Sequence, residues 1–407
     1  MSRIDDLIAE KCPSGIKHAT LGEVGLFVRG NGLQKKDLKD SGFGCVHYGQ
    51  VHTQYGTQAS ITKSFVTNEL ARRLRKAQPD DLIIATTSED DEGVCKAMAW
   101  MGTSAVAVSG DCYVYRHSLN PLFMAYFFQT NSFREQKMRF ITGTKVKRVS
   151  GKDLARIRLP VPPSEIQSEI VSILVRMEQL EAELEAELEA RQLQYAHYRY
   201  SLLAFPEELG VRWSTLGEIS ARVSSGATPL AGNPEYYEAG TIPWLRTQEV
   251  RFVDIWDTDI RITEKALKRT AVKWIPANCV IVAISGATAG RSAVNRIPLA
   301  TNQHCCNFEI DPIQANFRYV FHWVRSQYEQ IKALGQGARS DLNAGIIKSV
   351  RIPVPPLAEQ ERIASILDKF DTLVNDLSIG LPAELKARRR QYEYYRDKLL
   401  TFAEIAV

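Results

Sequence analysis

The stretch that decides the fold occurs twice, as "RLPVPPSEIQSEIVSIL" at residues 158–174 and as "RIPVPPLAEQERIASIL" at residues 351–367. The two copies lie 193 residues apart and agree, in one register, at Arg, Pro, Val, Pro, Pro, Gln, Ile, Ser, Ile and Leu. A double proline cannot continue a central strand but suits the entry to a helix, because a helix start leaves its first N–H groups without intrahelical partners. Each copy therefore predicts a rigid proline turn that leads into a helix.

Two further matches place these copies in a larger repeat. "TLGEV" at residues 20–24 corresponds to "TLGEI" at residues 215–219, and "RQLQYAHYRYSLLAF" at residues 191–205 corresponds to "RRRQYEYYRDKLLTF" at residues 388–402. Between "TLGE" and "PVPP" the halves share little identity, although both contain short apolar runs between Gly, Asn and Asp turns, which is typical of strands. Shared ends with divergent middles indicate a common scaffold whose variable parts face different targets.

The repeat predicts a mixed α/β (α+β) fold with two tandem domains, each followed by a long helix. The expected boundaries are residues 1–157 for the first domain and 158–205 for its proline turn and helix. The second domain and its helix are expected at residues 206–350 and 351–407. A chain of 407 residues is too long for one ordinary core, which agrees with two domains.

The helical segments carry an apolar stripe. In the first copy its members recur at steps of three and four residues: Ile166, Ile170, Ile173, Met177, Leu180, Leu184 and Leu188. A helix from residue 164 to about 205 would be roughly 60 Å long and needs a partner for its stripe. The second copy is the obvious partner, so we expect an antiparallel coiled-coil pair with pseudo-twofold symmetry.

Two local features disturb this symmetry. "EAELEAEL" at residues 181–188 contains the tetrapeptide EAEL twice. A four-residue repeat does not keep in register with a seven-residue heptad, so it loosens a coiled-coil supercoil. In the second copy, Gly380 and Pro382 are expected to interrupt or kink the helix.

Composition favours a cytoplasmic protein. The seven cysteines form no C-x-x-C pair, which argues against a disulfide framework, and Cys305 and Cys306 are expected in a buried strand. The start "MSRIDDLIAEKCPSG" lacks the apolar core of a signal peptide, and no apolar run approaches the roughly 20 residues that span a bilayer.

Charge is unevenly distributed along the chain. Residues 1–157 contain 22 Lys and Arg against 16 Asp and Glu, and residues 206–350 contain 16 against 14. Residues 158–205 contain 4 against 8. The two large segments are therefore permissive for nucleic-acid binding, whereas the acidic connecting segment is not.

The whole layout resembles the specificity (S) subunit of Type I restriction-modification systems. The resemblance rests on the doubled "PVPP" and Gln signature, on "QYEYYRDKLL" at residues 391–400 and on "SSGATPLAGNPEYYEAGTIPWLRTQEV" at residues 224–250. In the first half, "GNGLQKKDL", "HYGQVHTQYG" and "ITGTKVKRVS" look like another recurring type of target-recognition domain from the same family.

The resemblance implies a bacterial or archaeal protein of restriction and host defence that binds double-stranded DNA and catalyses nothing. Its two target-recognition domains would each recognise one half of a bipartite asymmetric site, and its helices would set the spacer. Two modification subunits, which bind S-adenosylmethionine and methylate adenine, would dock on the helices. Two translocating restriction subunits would use ATP and magnesium, so this chain itself is expected to bind no cofactor.

Motifs for catalysis agree with that expectation. "NPEY" at residues 233–236 lacks the second proline of an adenine methyltransferase motif, and "SGATAGR" at residues 285–291 is neither a dinucleotide-binding loop nor a phosphate loop. His47 and His52 stand five residues apart without a nearby Cys or third His, so metal binding is not expected. We predict no catalytic and no metal-ligating residue.

DNA recognition needs cations and amides for phosphates, and planar or forked side chains for base edges. Loops of both halves supply them. The candidates in the first half are Gln34, Lys35, Lys36, His47, Tyr48, Gln50, His52, Tyr55, Thr144, Lys145, Lys147 and Arg148. The candidates in the second half are Ser225, Thr228, Arg246, Gln248, Arg291, Asn302, Gln303, His304, Gln336, Arg339 and Ser340.

Aromatic residues outside these loops have a different expected role. We expect Tyr236 and Tyr237 to pack in the core. The tyrosines at the helix ends are expected to pack the helix pair or to meet a modification subunit: Tyr195, Tyr198, Tyr392 and Tyr395. Two other functions stay open: a coiled-coil scaffold without its own DNA specificity, and a DNA-modifying enzyme whose active site has no recognised motif.

Overall fold

The structure, a computed structural model, describes residues 3–206, 210–335 and 342–402. The chain forms two compact units: the first unit comprises Met1–Glu185 with Leu385–Val407, and the second unit comprises Ala186–Glu384. One long helix begins in the first unit and ends in the second. The four-segment division expected from the sequence stays a prediction.

The first unit is built on short strands and helices before the long helix. Its strands are β1 (His18–Thr20), β2 (Gly25–Arg29), β3 (Phe43–Val46), β4 (Gln58–Ala59), β5 (Ser64–Val66), β6 (Lys76–Ala77), β7 (Leu82–Ala85), β8 (Thr87–Ser88), β9 (Ala97–Trp100), β10 (Val106–Val108), β11 (Cys112–His117), β12 (Lys147–Arg148) and β13 (Arg158–Pro160). Its helices are α1 (Arg3–Lys11), α2 (Leu21–Val24), α3 (Tyr48–Thr53), α4 (Asn68–Arg73), α5 (Pro121–Phe127), α6 (Asn131–Met138), α7 (Gly151–Leu154) and the shared α8 (Ser164–Leu203).

The second unit continues from α8. Its strands are β14 (Arg212–Thr215), β15 (Ser220–Ser225), β16 (Ile242–Leu245), β17 (Asp254–Ile255), β18 (Arg261–Ile262), β19 (Trp274–Ile275), β20 (Val280–Ala283), β21 (Ser292–Asn295), β22 (Leu299–Thr301), β23 (Cys305–Ile310) and β24 (Arg351–Val354). Its helices are α9 (Pro234–Tyr237), α10 (Glu264–Arg269), α11 (Phe317–Ser326), α12 (Tyr328–Ala333), α13 (Ala344–Lys348), α14 (Leu357–Asn375) and α15 (Leu381–Leu400), whose last part belongs to the first unit.

The two units have the same sheet topology. The first has a five-stranded sheet in the order β2-β11-β7-β9-β4 and a four-stranded sheet in the order β5-β3-β10-β6. The second has β15-β23-β20-β21-β17 and β18-β16-β22-β19, which is the same order strand for strand. The pair β12-β8 belongs to the first unit, and the corresponding stretch of the second unit includes residues outside the described ranges. The mixed α/β class and the tandem domains are therefore confirmed.

Apolar strand residues explain why the same topology forms twice. All four residues of β7 (LIIA) and of β20 (VIVA) are buried, and β-branched side chains fit a pleated sheet that is covered on both faces. Cys305 and Cys306 are fully buried in β23, as expected. Tyr236 and Tyr237 pack against the core next to β16 and β18, also as expected.

The repeated motifs close each unit. The strand before "TLGE" pairs antiparallel with the "RLP" or "RIP" strand, so β1 pairs with β13 and β14 pairs with β24. Within "TLGE" the acid accepts from the backbone N–H of the threonine, at 2.6 Å for Glu23 and 3.0 Å for Glu218. This capping arrangement satisfies N–H groups that would otherwise lack partners. The shared ends therefore join the start and the end of each unit.

The glutamine that follows each double proline has a structural role. Gln167 accepts from the backbone N–H of Asn120 at 2.8 Å and donates to the carbonyl of Pro162 at 2.8 Å. Gln360, which is 0% exposed, bridges the Asn316 N–H and the Pro355 carbonyl, also at 2.8 Å. Because Asn120 and Asn316 cap the N-termini of α5 and α11, each glutamine fixes a helix of its unit to the start of α8 or α14.

A carboxylate farther along each long helix is the next point of attachment. Glu178 of α8 accepts from the hydroxyls of Tyr126 and Tyr392, each at 2.9 Å. Asp371 of α14 accepts from Arg325 at 2.6 Å and from Tyr195 at 3.2 Å. The packing role expected for the repeated tyrosines Tyr195 and Tyr392 is thus present within each unit.

Within each unit the helix contacts run antiparallel. In the first unit Arg389 of α15 pairs with Glu181 at 2.7 Å, and Tyr392, three residues later, meets Glu178, three residues earlier. In the second unit Tyr195 bonds Asp371 and Tyr198 stacks on Phe370 with ring centroids 5.2 Å apart. Coiled-coil packing over the full length and the pseudo-twofold relation stay predictions.

The expected interruption of the second helix is confirmed. Helix α14 ends at Asn375 and α15 begins at Leu381. Asp376 caps the intervening turn through the N–H groups of Ser378, at 2.7 Å, and Ile379, at 3.2 Å. A Cβ at Gly380 would overlap the carbonyl oxygen of Thr372, and Pro382 stands in the first turn of α15, where proline is tolerated.

Candidate nucleic-acid interface

Three loops of the first unit meet at one end of its sheets. Ser109 follows β10 and donates its N–H to Val46 at the end of β3, at 3.1 Å. Its hydroxyl accepts from the N–H of Tyr48 at 2.9 Å. Gly30, which follows β2, donates to Cys112 at 2.8 Å, and a Cβ there would overlap the carbonyl oxygen of Ser109. Glycine is therefore required for this close approach.

These loops line a shallow pocket of about 310 Å³. Besides Ser109, five polar side chains line it, which we call the first loop surface: Arg29, Gln34, His47, Tyr48 and Asp111. Gln34, His47 and Tyr48 were candidates for DNA contact, and the structure brings them together from two separate loops. The candidates Lys35 and Lys36 are exposed in a short 3-10 helix directly after Gln34.

The tautomer of His47 follows from its contacts. Burial lowers the pKa of His47, an effect strengthened by the nearby Lys35 and opposed by Asp111. The neutral ring accepts from the N–H of Gly49 through Nδ1 at 3.3 Å, so its proton is on Nε2. His47 therefore presents a hydrogen-bond donor beside the carboxylate of Asp111.

Three other first-half candidates have interior or backbone partners. Gln50 is 7% exposed, accepts from the N–H of His47 at 3.0 Å and donates to Ser64 at 2.8 Å. Tyr55 is 6% exposed, and its hydroxyl accepts from the N–H of Lys63 at 2.7 Å. His52 is half-buried and lies 2.9 Å from the carbonyl oxygen of Thr87. Gln50 and Tyr55 are therefore buried and bonded within the unit, and the DNA contacts expected of them stay a prediction.

The remaining first-half candidates lie on a hairpin. Thr142 and Arg148 exchange backbone hydrogen bonds at 2.9 and 2.8 Å across this hairpin, and β12 at its end also pairs with β8. Gly143 makes the turn with a φ of +92°, and a Cβ there would overlap the carbonyl oxygen of Val146. Glycine is favoured here because this φ lies in the left-handed region. Three candidates on the hairpin are exposed, Thr144, Lys145 and Arg148, and the half-buried Lys147 pairs with Asp91 at 3.3 Å.

The second unit assembles the equivalent loops in the same way. Asn302 follows β22 and donates its N–H to Leu245 at the end of β16, at 3.0 Å. A Cβ at Gly226, after β15, would overlap the carbonyl oxygen of Thr301. We call the polar side chains of these loops the second loop surface: Thr228, Arg246, Gln248, Gln303 and His304. Thr228 bonds Gln303, and Gln303 lies 3.2 Å from the His304 ring nitrogen.

Arg246 occupies the position that His47 has in the first unit. Its N–H donates to Glu249 at 3.1 Å, as that of His47 donates to Gln50. Its guanidinium lies 3.7 Å from Glu249 and 3.5 Å from Asp259. With the Gln248 amide turned so that its oxygen faces the guanidinium, that oxygen accepts from Arg246 at 2.8 Å. The fork of this arginine is therefore oriented before any ligand binds.

The other second-half candidates are dispersed. Asn302 is buried, and its side chain accepts from the N–H of His304 at 3.1 Å. Ser225 is exposed at the end of β15, and Arg291 is half-exposed after a short 3-10 helix, Gly286–Thr288. The candidates Gln336, Arg339 and Ser340 lie outside the described residues. Leu342, just beyond them, donates its N–H to Ile284 after β20, at 2.9 Å.

Reasoning from the sequence missed two residues of the first loop surface, Arg29 and Asp111. Asp111 lies in the turn between β10 and β11, which corresponds to the turn between β22 and β23. A signal was present: the offset of 193 residues that relates the two "PVPP" copies also places "SGDC" at residues 109–112 on "NQHC" at residues 302–305.

Neither loop surface includes a metal centre. Among residues 3–206, 210–335 and 342–402, no group of three or more His, Cys, Asp and Glu side chains could hold a metal ion. In the same part of the chain, no helix is both long and apolar enough to cross a lipid bilayer.

Two copies of one α/β scaffold, each with polar and cationic loops at one end of its sheets, define a class of protein in which one kind of loop surface occurs twice. The family model "Type I restriction modification DNA specificity domain" matches the chain twice, at residues 13–190 and 210–387. The chain therefore belongs to the family of type I restriction-modification specificity subunits, which are generally non-catalytic.

Curated relatives agree. A type I restriction enzyme specificity subunit of Escherichia coli is 36% identical over 62% of this chain, and the match covers 65% of that relative's length, slightly less than two thirds. A putative type I restriction enzyme specificity subunit of Haemophilus influenzae is 28% identical over 75% of this chain and 77% of its own length.

Solved structures support the fold. A chain from a structure concerned with complex assembly and conformational transition of the type I R-M system has a TM-score of 0.64 at 18% identity, with 95% of this chain and 97% of that chain covered. The S subunit of a type I restriction-modification system from M. genitalium has a TM-score of 0.56 at 14% identity, with 95% and 96% covered.

Proposed function

We propose that this chain is the non-catalytic subunit that gives a Type I restriction-modification complex its DNA specificity. Each unit recognises one half of a bipartite, asymmetric site in double-stranded DNA. The observation that carries this proposal is the pair of loop surfaces: one strand order positions both, while their side chains differ at equivalent positions. His47 and Asp111 in one correspond to Arg246 and His304 in the other.

The chemistry of the loops suits the two tasks of a DNA-binding surface. Exposed cations at Lys35, Lys36, Lys145 and Arg148 can neutralise phosphates, which supplies affinity without sequence information. Side chains with a fixed donor or acceptor, such as Arg246 and His47, can contact base edges in the major groove. Arg246 in particular has the fork that matches the two acceptors of guanine.

The helices supply spacing and docking in this proposal. The unbroken α8 passes from one unit into the other and would set the length of the unread spacer. Two modification subunits would dock on the helices and bring S-adenosylmethionine, and two restriction subunits would bring ATP and magnesium. The chain itself would bind no cofactor. The relative from the assembly structure supports a role within a complex of subunits.

The test is an exchange of recognition segments. Residues 25–150 are replaced by the equivalent segment of another family member, and methylated adenines are mapped across the genome of cells that also contain the modification subunits. We expect one half of the methylated sequence to change. The matched control replaces residues 220–349, which should change the other half only. A change in both halves after either exchange would refute independent recognition.

The spacer role has a separate test. A third "EAEL" unit inserted after Leu188 lengthens α8 by about 6 Å, close to two base pairs at about 3.4 Å each. The preferred spacer should grow while both half-sites stay the same. The control is Glu187→Lys without an insertion, which changes charge but not length. An unchanged spacer in the insertion variant would remove the role of α8 in spacing.

A further inference from the structure

The first loop surface contains an acid where the proposed function needs DNA to approach. Asp111 lies in the tight turn between β10 and β11, and its side chain is 39% exposed. Arg29 lies beside it, with its guanidinium 3.8 Å from the Asp111 carboxylate and its Nε donating to the carbonyl of Gly110 at 2.9 Å. The backbone carbonyl of Asp111 also accepts from the N–H of Thr86 at 2.9 Å. The turn is therefore held from two sides, and the carboxylate lines the pocket.

A carboxylate at this place is unfavourable for non-specific binding. DNA presents a dense row of phosphates, so an acid among the cations Arg29, Lys35 and Lys36 reduces the attraction that those cations provide. A carboxylate accepts hydrogen bonds and donates none. The one favourable contact that it can make with DNA is therefore with a donor, and in the major groove the donors are the exocyclic amines of adenine and cytosine.

The neighbours of Asp111 complete the pattern. His47, in the same pocket, presents its Nε2–H as a donor because Nδ1 accepts from Gly49. The amide of Gln34 can supply a donor or an acceptor. A fixed acceptor beside a fixed donor matches the edge of adenine, whose amine and N7 lie side by side, and also the amine of cytosine beside the O6 of its paired guanine.

The corresponding position of the second unit strengthens the assignment. The turn that contains Asp111 in the first unit contains Gln303 and His304 in the second, and both of those side chains are exposed. Thr86 bonds the carbonyl of Asp111, and Ile284 bonds the carbonyl of His304 at the same distance of 2.9 Å. One backbone position thus presents an acid in one unit and an imidazole in the other, which is the variation expected of a position that contacts bases.

From this geometry we infer that Asp111 is a specificity-determining residue, which accepts a hydrogen bond from the exocyclic amine of an adenine or a cytosine in the half-site of the first unit. Arg29 is its positioning residue. The inference rests on the proposed function. A thymine or guanine at that position would place its O4 or O6 acceptor against the carboxylate and be rejected.

The experiment compares Asp111→Asn and Asp111→Ala in the full chain, expressed with its modification subunits, and maps methylated adenines genome-wide. Asn keeps the shape but adds a donor, so one position of one half-site should admit thymine or guanine in addition to the original base. Ala should accept any base there. Preference at that position should fall about tenfold, as expected for one base contact. The original base, adenine or cytosine, identifies which amine is bound.

Asp6→Ala is the matched control, since it removes one exposed acid from α1 in the same unit and should leave every position unchanged. If Asp111→Ala abolishes methylation, the sequence that the Asp111→Asn variant methylates tests the inference. An unchanged sequence in Asp111→Asn, or a change confined to the other half-site, would overturn the inference. Both of these outcomes leave the proposed function intact, because the unaltered chain still directs methylation. Failure of the unaltered chain to direct any methylation would instead contradict the proposed function.

Discussion

The two units of this protein share a scaffold and differ in their loop surfaces, which we call the tips of the units. Strand order is the same in both, and each unit has a glycine against the backbone where a turn begins: Gly30 lies against the Ser109 carbonyl after β10, and Gly226 lies against the Thr301 carbonyl at the end of β22. At the tips, the first unit has an acid beside a neutral imidazole, whereas the second has an arginine held by Glu249 and Asp259. The difference shows that the scaffold depends on buried strands and backbone contacts, which leaves the exposed tip residues free to vary.

A similar contrast exists where each unit meets its helices. In the first unit the attachment consists of neutral donors, because Tyr126, Tyr392 and Thr57 all bond Glu178. In the second unit the donors to Asp371 include the guanidinium of Arg325. Next to it, His322 lies 2.6 Å from Asp368. The same place in the fold is therefore stabilised by neutral hydrogen bonds in one unit and by ion pairs in the other.

The largest expected effect concerns the feature that the two units share. Gln360→Ala leaves the partly buried N–H of Asn316 and the buried carbonyl of Pro355 without this side-chain partner, so the second unit should lose about 2–3 kcal/mol of unfolding free energy. Gln167→Ala should act similarly on the first unit. Hydrogen exchange resolved by peptide should show the lost protection in the unit that carries the substitution.

The control for this pair is Gln192→Ala on the exposed side of α8, which should change stability by less than about 0.5 kcal/mol. Each glutamine is expected to stabilise its own unit. If Gln167→Ala and Gln360→Ala both reduced protection in the same unit, that expectation would be contradicted.

A smaller effect is expected at the carboxylate attachments. Burial and the nearby carboxylate Glu178 or Asp371 raise the pKa of Tyr392 and Tyr195, which keeps each phenol a donor. Tyr392→Phe removes one of three donors to Glu178 and should cost about 1 kcal/mol. Tyr195→Phe should cost less, because its bond to Asp371 is longer and Arg325 remains. Urea unfolding measures both.

Tyr394→Phe is the control for the tyrosine pair, since Tyr394 is 61% exposed and its loss of a hydroxyl should leave the unfolding free energy unchanged. A cost for Tyr195→Phe above that for Tyr392→Phe would reverse the assigned order of the two attachments.

The smallest effect is a difference in pH dependence. Burial lowers the pKa of His322, which the carboxylate of Asp368 only partly offsets. The unfolded chain therefore binds a proton more readily than the folded chain, so stability is complete above about pH 6.5 and falls as the pH decreases through the lower folded-state pKa. Although burial alone would raise the pKa of Asp368, hydrogen bonds from His322 and Arg318 lower it to about 2, so that group contributes no slope between pH 5 and 7.

His322→Gln should accordingly flatten the decrease in unfolding free energy between about pH 7 and pH 5. The control is Tyr126→Phe, at the equivalent place of the first unit, which should lower stability by the same amount at both pH values. Equal slopes for the original chain and His322→Gln would show that His322 does not titrate in this range.

Much of the scaffold follows from the sequence. The apolar runs "DLIIATT" and "CVIVAIS" contain β7 and β20, and the stripe that begins at Ile166 predicts α8. Gly380 and Pro382 predict the break between α14 and α15. Each of these features depends on local pattern, which one segment is sufficient to reveal.

The residues of the two loop surfaces were harder to predict, because their positions depend on which loops come together in the fold. Gln50 and Tyr55 are polar residues in a loop-like stretch, but Gln50 lies in α3 and Tyr55 lies two residues after its end. Both side chains are buried, where they bond Ser64 and Lys63. Asp111 lies in a turn without a distinctive local motif, and only the pairing of β10 with β3 brings it to His47. Contacts between distant segments of the chain are not contained in local periodicity.

The glutamine bridges have a consequence for how such proteins diversify. Gln167 and Gln360 bond a backbone N–H at the start of a helix and a proline carbonyl, and neither group depends on the side chains that a unit displays at its tips. The contacts that each glutamine makes are therefore independent of the side chains in the loop surface of the same unit. If the units recognise DNA as proposed, evolution can exchange one recognition segment for another, and so change the DNA sequence that is recognised, without a compensating substitution at Gln167 or Gln360.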